Sequence, residues 1–258
     1  MIQKLPISVF IIAVNEGDRI GETIKSVSDW VDEVIVVDSG SKDDTIQVSE
    51  ALGAKVFRNA WPGYGLQKRF GEDQCKNDWI LNLDADEVIS DELRREMLSL
   101  FSVGTPAHPA WKMAIVEILP GRKKPIPFAH KIVAIRLYNK QFGRFSDSTV
   151  HDTVRMERGS VGELSSIVEH RSSRGLTHTM EKINRYSTMQ ARDLMAKSTP
   201  LPFARLRLLL EFPANFIKAY LFRGYIFGGT QGFANSMVYA FSRFIRIAKY
   251  LELKNRKN

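Results

Sequence analysis

Residues 7–14, ISVFIIAV, followed at once by Asn15 and Glu16, form the stretch on which the fold turns. A run that is apolar at nearly every position and closed by two polar residues suits a strand buried on both faces, since successive side chains point to opposite sides. Working outward, Glu33 to Val37 (EVIVV) and Trp79 to Leu83 (WILNL) repeat the pattern. The segments between them carry apolar residues at helical spacing, as at Ile20, Ile24 and Val27. Strands alternating with helical periods predict β-α-β units, hence an α/β fold with a mostly parallel central sheet flanked by helices. Helix starts agree with this. Ser41 and Asp44 read as a capping box for Thr45 to Leu52, with Asp43 and Asp44 in its first turn, and Ser90 reads as the cap of a helix opening with Asp91 and Glu92.

Past Pro106 the pattern changes to strands without long helices: Trp111 to Leu119, Ile132 to Tyr138 and Leu164 to Glu169, interrupted by Pro120, Gly121, Pro125 and Pro127. From residue 171 it becomes helical, with helices predicted near Leu176 to Lys197, Leu201 to Phe222 and Phe233 to Leu253. The expected organisation is an α/β domain over 1–170 and a basic, amphipathic helical appendage over 171–258.

Composition narrows the setting. A chain of 258 residues with 44% hydrophobic residues can bury a full core, which excludes disorder as its main state. Cys75 is the single cysteine and Met1 to Pro6 leads into no secretory pattern, so a reducing, cytoplasmic location is expected. The longest apolar stretch, Leu206 to Phe227, is broken by Arg207, Glu211, Lys218 and Arg223, so it is expected to touch a membrane rather than cross it. The formal charge of +8 is uneven: residues 171–258 hold 16 Lys and Arg against 4 Asp and Glu, whereas 1–170 hold 21 against 25. That imbalance predicts an anionic partner for the helical part. The sequence lacks zinc-ligand spacing and ribonucleoprotein-type aromatics, and its body is acidic, which argues against nucleic acid.

In an open parallel sheet, ligands bind beyond the carboxyl ends of the strands. The three predicted strands run into Asn15 and Glu16, into Asp38, and into Asp84-Ala85-Asp86. Carboxylates gathered at one rim repel unless a cation or donors lie among them, so a metal or ligand is expected there. A D-x-D at a strand end can hold a divalent cation whose other positions take diphosphate oxygens. Two such Asp residues also serve as turn or capping residues, and the shared rim with Glu16 and Asp38 favours the functional reading. Asp38 is expected to bond the base or ribose of a nucleotide. Gly63-Tyr64-Gly65, followed by Lys68 and Arg69, reads either as a phosphate-facing loop or as a flexible turn before an amphipathic helix.

Four ordered segments, FIIAVNEGDRI, VDEVIVVDSGSKDDT, WPGYGLQKRFG and DWILNLDADE, resemble the N-terminal half of family-2 glycosyltransferases of the GT-A fold. RLYNKQFGRFSDSTVHDTV, VEHRSSRGLTHTMEKINRYS and GGTQGF resemble more narrowly the bacterial lipopolysaccharide core glucosyltransferases that add glucose to an inner-core heptose. The resemblance implies an inverting transfer of a hexose, glucose from UDP-glucose, from a nucleotide-sugar donor to a lipid-linked saccharide acceptor, assisted by Mn2+ or Mg2+. It further implies that Ala13, Asn15, Glu16 and Asp38 line the nucleoside pocket, that Lys68 or Arg69 faces the diphosphate, that Asp84 lies near ribose or metal, and that Asp86 is the main metal ligand.

Many members carry a Glu-Asp pair supplying the base; here the matching region reads Val150-His151-Asp152. A carboxylate within reach of the acceptor hydroxyl suffices for inversion, which favours Asp152, with His151 as competitor because its ordinary pKa suits neutral pH. His170 reads as a metal ligand or as a hydrogen-bonded structural histidine.

In Phe233 to Leu253, Met237, Phe241, Phe244, Ile245, Ala248 and Leu251 share a face flanked by Arg243, Arg246 and Lys249. Together with Leu206 to Phe227 this suits peripheral attachment to the cytoplasmic face of an anionic inner membrane, or packing on the catalytic domain. Three rivals remain: a sugar nucleotidyltransferase, which needs a Gly-rich, Arg-containing loop where Ala13-Val14-Asn15-Glu16 stands; a nucleic-acid binder; and a non-catalytic membrane scaffold on the same fold.

Overall fold

The structure is a computed structural model and describes residues 4–147, 152–196 and 203–256. In chain order it runs β1 (Leu5–Ala13), α1 (Ile20–Lys25), β2 (Val31–Asp38), α2 (Thr45–Ala51), β3 (Lys55–Arg58), α3 (Tyr64–Gln74), β4 (Trp79–Asp84), β5 (Glu87–Ile89) and α4 (Asp91–Ser102). It continues with β6 (Ala110–Glu117), β7 (Lys131–Asn139), β8 (Gly143–Phe145), β9 (Val154–Met156), β10 (Val161–His170), α5 (Leu176–Ala196), α6 (Ala204–Ile217) and α7 (Gly229–Asn255). A π-type turn (Lys218–Phe222) and a short 3-10 turn (Tyr225–Gly228) link α6 to α7.

Two compact units emerge. The first comprises Met1–Val116 and Lys131–Arg171; the second combines Ser172–Asn258 with the excursion Glu117–His130, which the sequence reading groups with the α/β domain.

The first unit is built on a sheet of order β3-β2-β1-β4-β7-β6-β10-β5. β3, β2, β1 and β4 run parallel, and β7 and β6 continue it antiparallel. The expected central sheet with flanking helices is therefore observed, its parallel half carrying the β-α-β units. The strand alternation explains the burial. Val9, Ile11, Val34, Val36, Leu81 and Leu83 join one core cluster, while Phe10, Ile35, Val37 and Ile80 join the other. Each parallel strand thus needs apolar residues at both parities, the double burial that ISVFIIAV announces.

Four short strands, β3, β5, β8 and β9, have no counterpart in the sequence reading, since three or four residues carry too little periodicity to register. Ser90 caps α4 as expected, accepting from the Leu93 N–H at 3.2 Å. The capping box at Ser41 is corrected. Asp44 occupies the N-cap position without a side-chain bond, and Asp43 Oδ1 accepts from the Thr45 N–H at 3.1 Å. Both acids precede the helix instead of lying in its first turn, and Ser41 is engaged elsewhere.

In the second unit, α7 packs against both α5 and α6. Gly232, Ser236 and Ala240, spaced four apart on α7, are buried, and a Cβ at Gly232 would stand 1.9 Å from the Tyr225 carbonyl of the preceding turn.

Candidate active site

The parallel strands end side by side. Ala13 stands in register with Asp38, and Ile12 with Asp84. Parallel neighbours lie ~4.8 Å apart, so the ends of β2 and β4 sit on the order of 10 Å from each other along one rim.

The loop after β1 is fastened to the loop after β2. Asn15, in the left-handed region at φ 55°, donates its N–H to Ser41 Oγ at 2.9 Å and accepts the Lys42 N–H on Oδ1 at 2.8 Å. Asparagine is among the few non-glycine residues that adopt this conformation at modest strain. The Glu16 N–H donates to Thr45 Oγ1 at 2.8 Å, and the Gly17 N–H to Asp43 Oδ2 at 3.1 Å. A Cβ at Gly17 would stand 1.9 Å from Asp44 Oδ1, so a larger residue there would require the Asp44 side chain to move. Asp38 is buried and folds its own loop: Oδ1 accepts the N–H groups of Gly40 and Ser41, both at 2.9 Å, and Oδ2 accepts the Ser41 hydroxyl. The Ala13 carbonyl accepts from the Ser39 N–H at 3.0 Å.

The D-x-D turn is held from several directions. The Asp84 N–H donates to Glu87 Oε2 at 3.0 Å, the Thr23 hydroxyl donates to the Ala85 carbonyl at 2.9 Å, and the Arg171 N–H donates to the Asp86 carbonyl at 2.8 Å. β5 then leaves the turn and pairs antiparallel with β10, setting Glu87 opposite His170. His170 Nε2 consequently lies 3.3 Å from Asp86 Oδ2, with Arg19 Nη1 3.6 Å from the same oxygen. Burial pushes the Asp86 carboxyl up, but the His170 hydrogen bond and the Arg19 charge outweigh it and hold it below the usual carboxylate range. The imidazole shows the converse: burial disfavours its charge, yet Asp86 raises it above an ordinary histidine.

Asp84 faces the other way. One oxygen lies 3.0 Å from Lys68 Nζ and the other 3.1 Å from Arg136 Nη2. These two cations overcome the opposing effect of burial and hold its carboxyl far below the usual range. Lys68 is almost wholly buried and also reaches Asp152 Oδ2 at 2.9 Å, so a single ammonium joins the two carboxylates. Arg136 further contacts Glu87 Oε1 at 2.5 Å and donates to Asn82 Oδ1 at 2.8 Å. Burial raises the Glu87 carboxyl even against the pull of Arg136.

Of the residues singled out from sequence, Lys68, Asp84 and Asp152 form one chain of ion pairs, and Asp86 with His170 forms a second pair joined to it through the D-x-D turn. Asn15 and Glu16 lie on the adjoining loop after β1, and Asp38 ends β2. Arg69 is directed away from that chain: Nη1 donates to the Phe145 carbonyl at 2.7 Å and lies 3.8 Å from Asp147. His151 lies outside the described residues. Sequence reasoning overlooked Arg136, Glu87 and Arg19. The signal for Arg136 was present as one arginine within the apolar run of β7, a placement tolerated only beside buried carboxylates.

A sheet of this order, with acidic loops gathered at the carboxyl edge of its parallel half, is the GT-A arrangement of sugar transferases. The family described as Glycosyl transferase family 2 matches residues 8–154, and the chain belongs to it. A glycosyltransferase of Rickettsia typhi is 41% identical over 256 residues, covering 96% of this chain and 87% of that protein. The lipopolysaccharide core biosynthesis glycosyltransferase LpsC of Rhizobium meliloti is 31% identical over 268 residues, covering 100% of this chain and 97% of that protein. Among solved structures, S. aureus TarS 1-349 in complex with UDP-GlcNAc aligns with a TM-score of 0.49 at 15% identity, over 98% of this chain and 92% of that one.

Proposed function

We propose that this glycosyltransferase moves a hexose, glucose from UDP-glucose, onto a saccharide hydroxyl of the lipopolysaccharide core by a metal-assisted, inverting displacement at the cytoplasmic face of the inner membrane. The observation that carries the catalytic part is the meeting of Asp86 and His170, 84 positions apart, at 3.3 Å beside the Lys68 chain. The core-saccharide acceptor is supported by the full-length similarity to LpsC.

Among the described residues, no three His, Cys, Asp or Glu converge on one point as a closed metal cage. Asp86 and His170 instead offer one oxygen and one nitrogen at the rim, which fits a cation whose remaining positions are filled by a diphosphate. A mixed carboxylate and imidazole pair suits Mn2+ better than Mg2+, which prefers oxygen alone. Such an ion supplies positive charge against the departing diphosphate. Asp84, neutralised by Lys68 and Arg136, has the role of fixing the turn that presents Asp86. Asp152 accepts the proton of the acceptor hydroxyl, held in place by Lys68. Asn15, Glu16 and the loop organised by Asp38 frame the nucleoside.

The test is a panel of nucleotide sugars with a truncated lipopolysaccharide acceptor, assayed with Mn2+, with Mg2+ and with chelator. UDP-glucose should give the fastest metal-stimulated transfer, and Asp86→Ala should lower it on the order of 10³-fold with unchanged circular dichroism. Full activity in chelator or in the variant removes the metal from the reading; no transfer from any nucleotide sugar removes the reading itself.

A further inference from the structure

Helix α6 is assembled inside out. Its exposed positions, 205, 206, 209, 210, 213, 214 and 217, follow the spacing of one helical face, and beside Arg205 that face holds Leu206, Leu209, Leu210, Pro213, Ala214 and Ile217. Leu209 is 72% exposed and Leu210 55%. Arg205 borders that face, while Glu211 and Asn215 are turned from it: Glu211 lies 3.0 Å from Arg246 and 3.6 Å from Arg207, and the Asn215 amide donates back to the Glu211 carbonyl. An ordinary surface helix has the opposite polarity.

The apolar ridge continues beyond the helix. Leu221 and Phe222, the latter 79% exposed, lead into Ile226 and Phe227, and the Phe227 ring meets that of Phe128 at a centroid distance of 5.7 Å. Phe128, itself 81% exposed, comes from the excursion between β6 and β7. That excursion is firmly seated. Arg122 donates to the Phe227 carbonyl at 3.0 Å, the Tyr225 hydroxyl donates to Glu117 at 2.6 Å, and any Cβ at Gly224 would stand 2.4 Å from the Pro127 carbonyl. Two segments distant in sequence thereby form a single continuous apolar surface.

Charge decides what covers it. Residues 117–130 and 203–228 together contain Arg122, Lys123, Lys124, Arg205, Arg207, Lys218 and Arg223, against only Glu117 and Glu211. Both acids are turned inward to partners within the unit, whereas Arg122, Lys123, Lys124, Arg205 and Lys218 are exposed. A second copy of this chain would bring the same cations into opposition and is disfavoured. An apolar ridge bordered by cations, with no exposed carboxylate on either segment, is complementary to the acyl boundary and headgroups of an anionic bilayer. Among the described residues no helix is long and apolar enough to cross a membrane, so the ridge would lie in the interface plane.

We infer that α6, the turns after it and the 117–130 excursion form a composite docking surface for anionic phospholipid, with Leu209, Leu210, Phe222 and Phe128 entering the acyl boundary and Lys123, Lys124 and Lys218 meeting headgroups. The inference deepens the lipid-linked acceptor reading above and rests on it for the purpose of the contact. α7, whose apolar face the sequence also offers to a membrane, is instead the helix that α5 and α6 pack around.

The full chain is mixed with vesicles of phosphatidylglycerol and phosphatidylethanolamine, or of phosphatidylcholine alone, and bound protein is measured by flotation. The wild type should bind the anionic vesicles at least tenfold more tightly than the neutral ones, and less tightly as salt rises. The Leu209→Asp/Leu210→Asp pair should lower binding at least tenfold. Lys123→Glu/Lys124→Glu should do likewise and flatten the salt dependence. Phe222→Ser serves as the independent variant should the leucine pair not fold. Equal binding to neutral vesicles, or wild-type binding by the folded apolar variants, overturns the inference. So does a wild-type dimer that these variants convert to monomers while vesicle binding persists. Nucleotide-sugar turnover with a water-soluble acceptor separates the two readings. It should be unchanged in every variant, and a wild type that binds vesicles but turns over no nucleotide sugar leaves the surface standing while removing the enzymatic reading.

Discussion

The two units of this chain violate the ordinary rules of solvation in opposite ways. In the first, Lys68, Arg136 and Glu87 lie buried; in the second, Leu209, Phe222 and Phe128 are largely exposed. The buried charges are compensated internally, by Asp84, Asp152 and one another. Among the described residues the exposed apolar groups stay largely uncovered, even where Phe128 meets Phe227. The difference shows where each region's function is to be sought: charge held in a rigid network suits the precise placement of a reacting group, whereas an uncompensated apolar face is completed by an external phase.

The comparison can be broken first at Arg136. Arg136→Leu leaves Glu87 buried without its cation and should destabilise the fold by about 3–5 kcal/mol in denaturant titration at pH 7. The deficit should shrink in acid. Burial already holds the Glu87 carboxyl above its usual value, and removing Arg136 raises it further. A folded-state pKa above the unfolded one favours the protonated folded protein, so stability is recovered as pH falls toward the unfolded value and lost again as pH rises. A variant as stable as wild type at neutral pH would show that the buried network is dispensable.

Asp152→Asn comes next. It keeps the side-chain shape but removes the proton acceptor and half of the Lys68 bridge, so transfer should fall on the order of 10²-fold while nucleotide-sugar affinity stays near wild type. A wild-type transfer rate would move the base to another residue. The smallest effect sharpens the contrast from the other side. Because Leu210 is exposed, Leu210→Asp should change stability by no more than about 0.5 kcal/mol, as thermal melting can verify. A large loss would mean that the ridge is internal packing.

How far the sequence could be read follows from where each signal resides. The parallel strands β1, β2 and β4 were legible because double burial forces apolar residues at both parities, and their strand-end residues Asn15, Asp38 and Asp84 followed from the rule that sites form at carboxyl ends. The helices α5, α6 and α7 were legible from their period, with ends within a few residues of those expected. The pairing of β5 with β10 was not. Three residues of strand carry no pattern, and nothing near Glu87 in sequence announces His170 as its partner.

Local period and motifs of fixed spacing thus sufficed for the alternating architecture, the family and the strand-end acids Asp38 and Asp84, but not for Glu87. Only the tertiary structure decided that Asp84 is neutralised by Lys68 and Arg136 while Asp86 meets His170, that Arg69 turns away, and that residues 117–130 join the helical unit beside Phe227. Each of these depends on which distant segments come together and which face of an element is covered. Periodicity gives the existence of a face; packing alone gives what it faces.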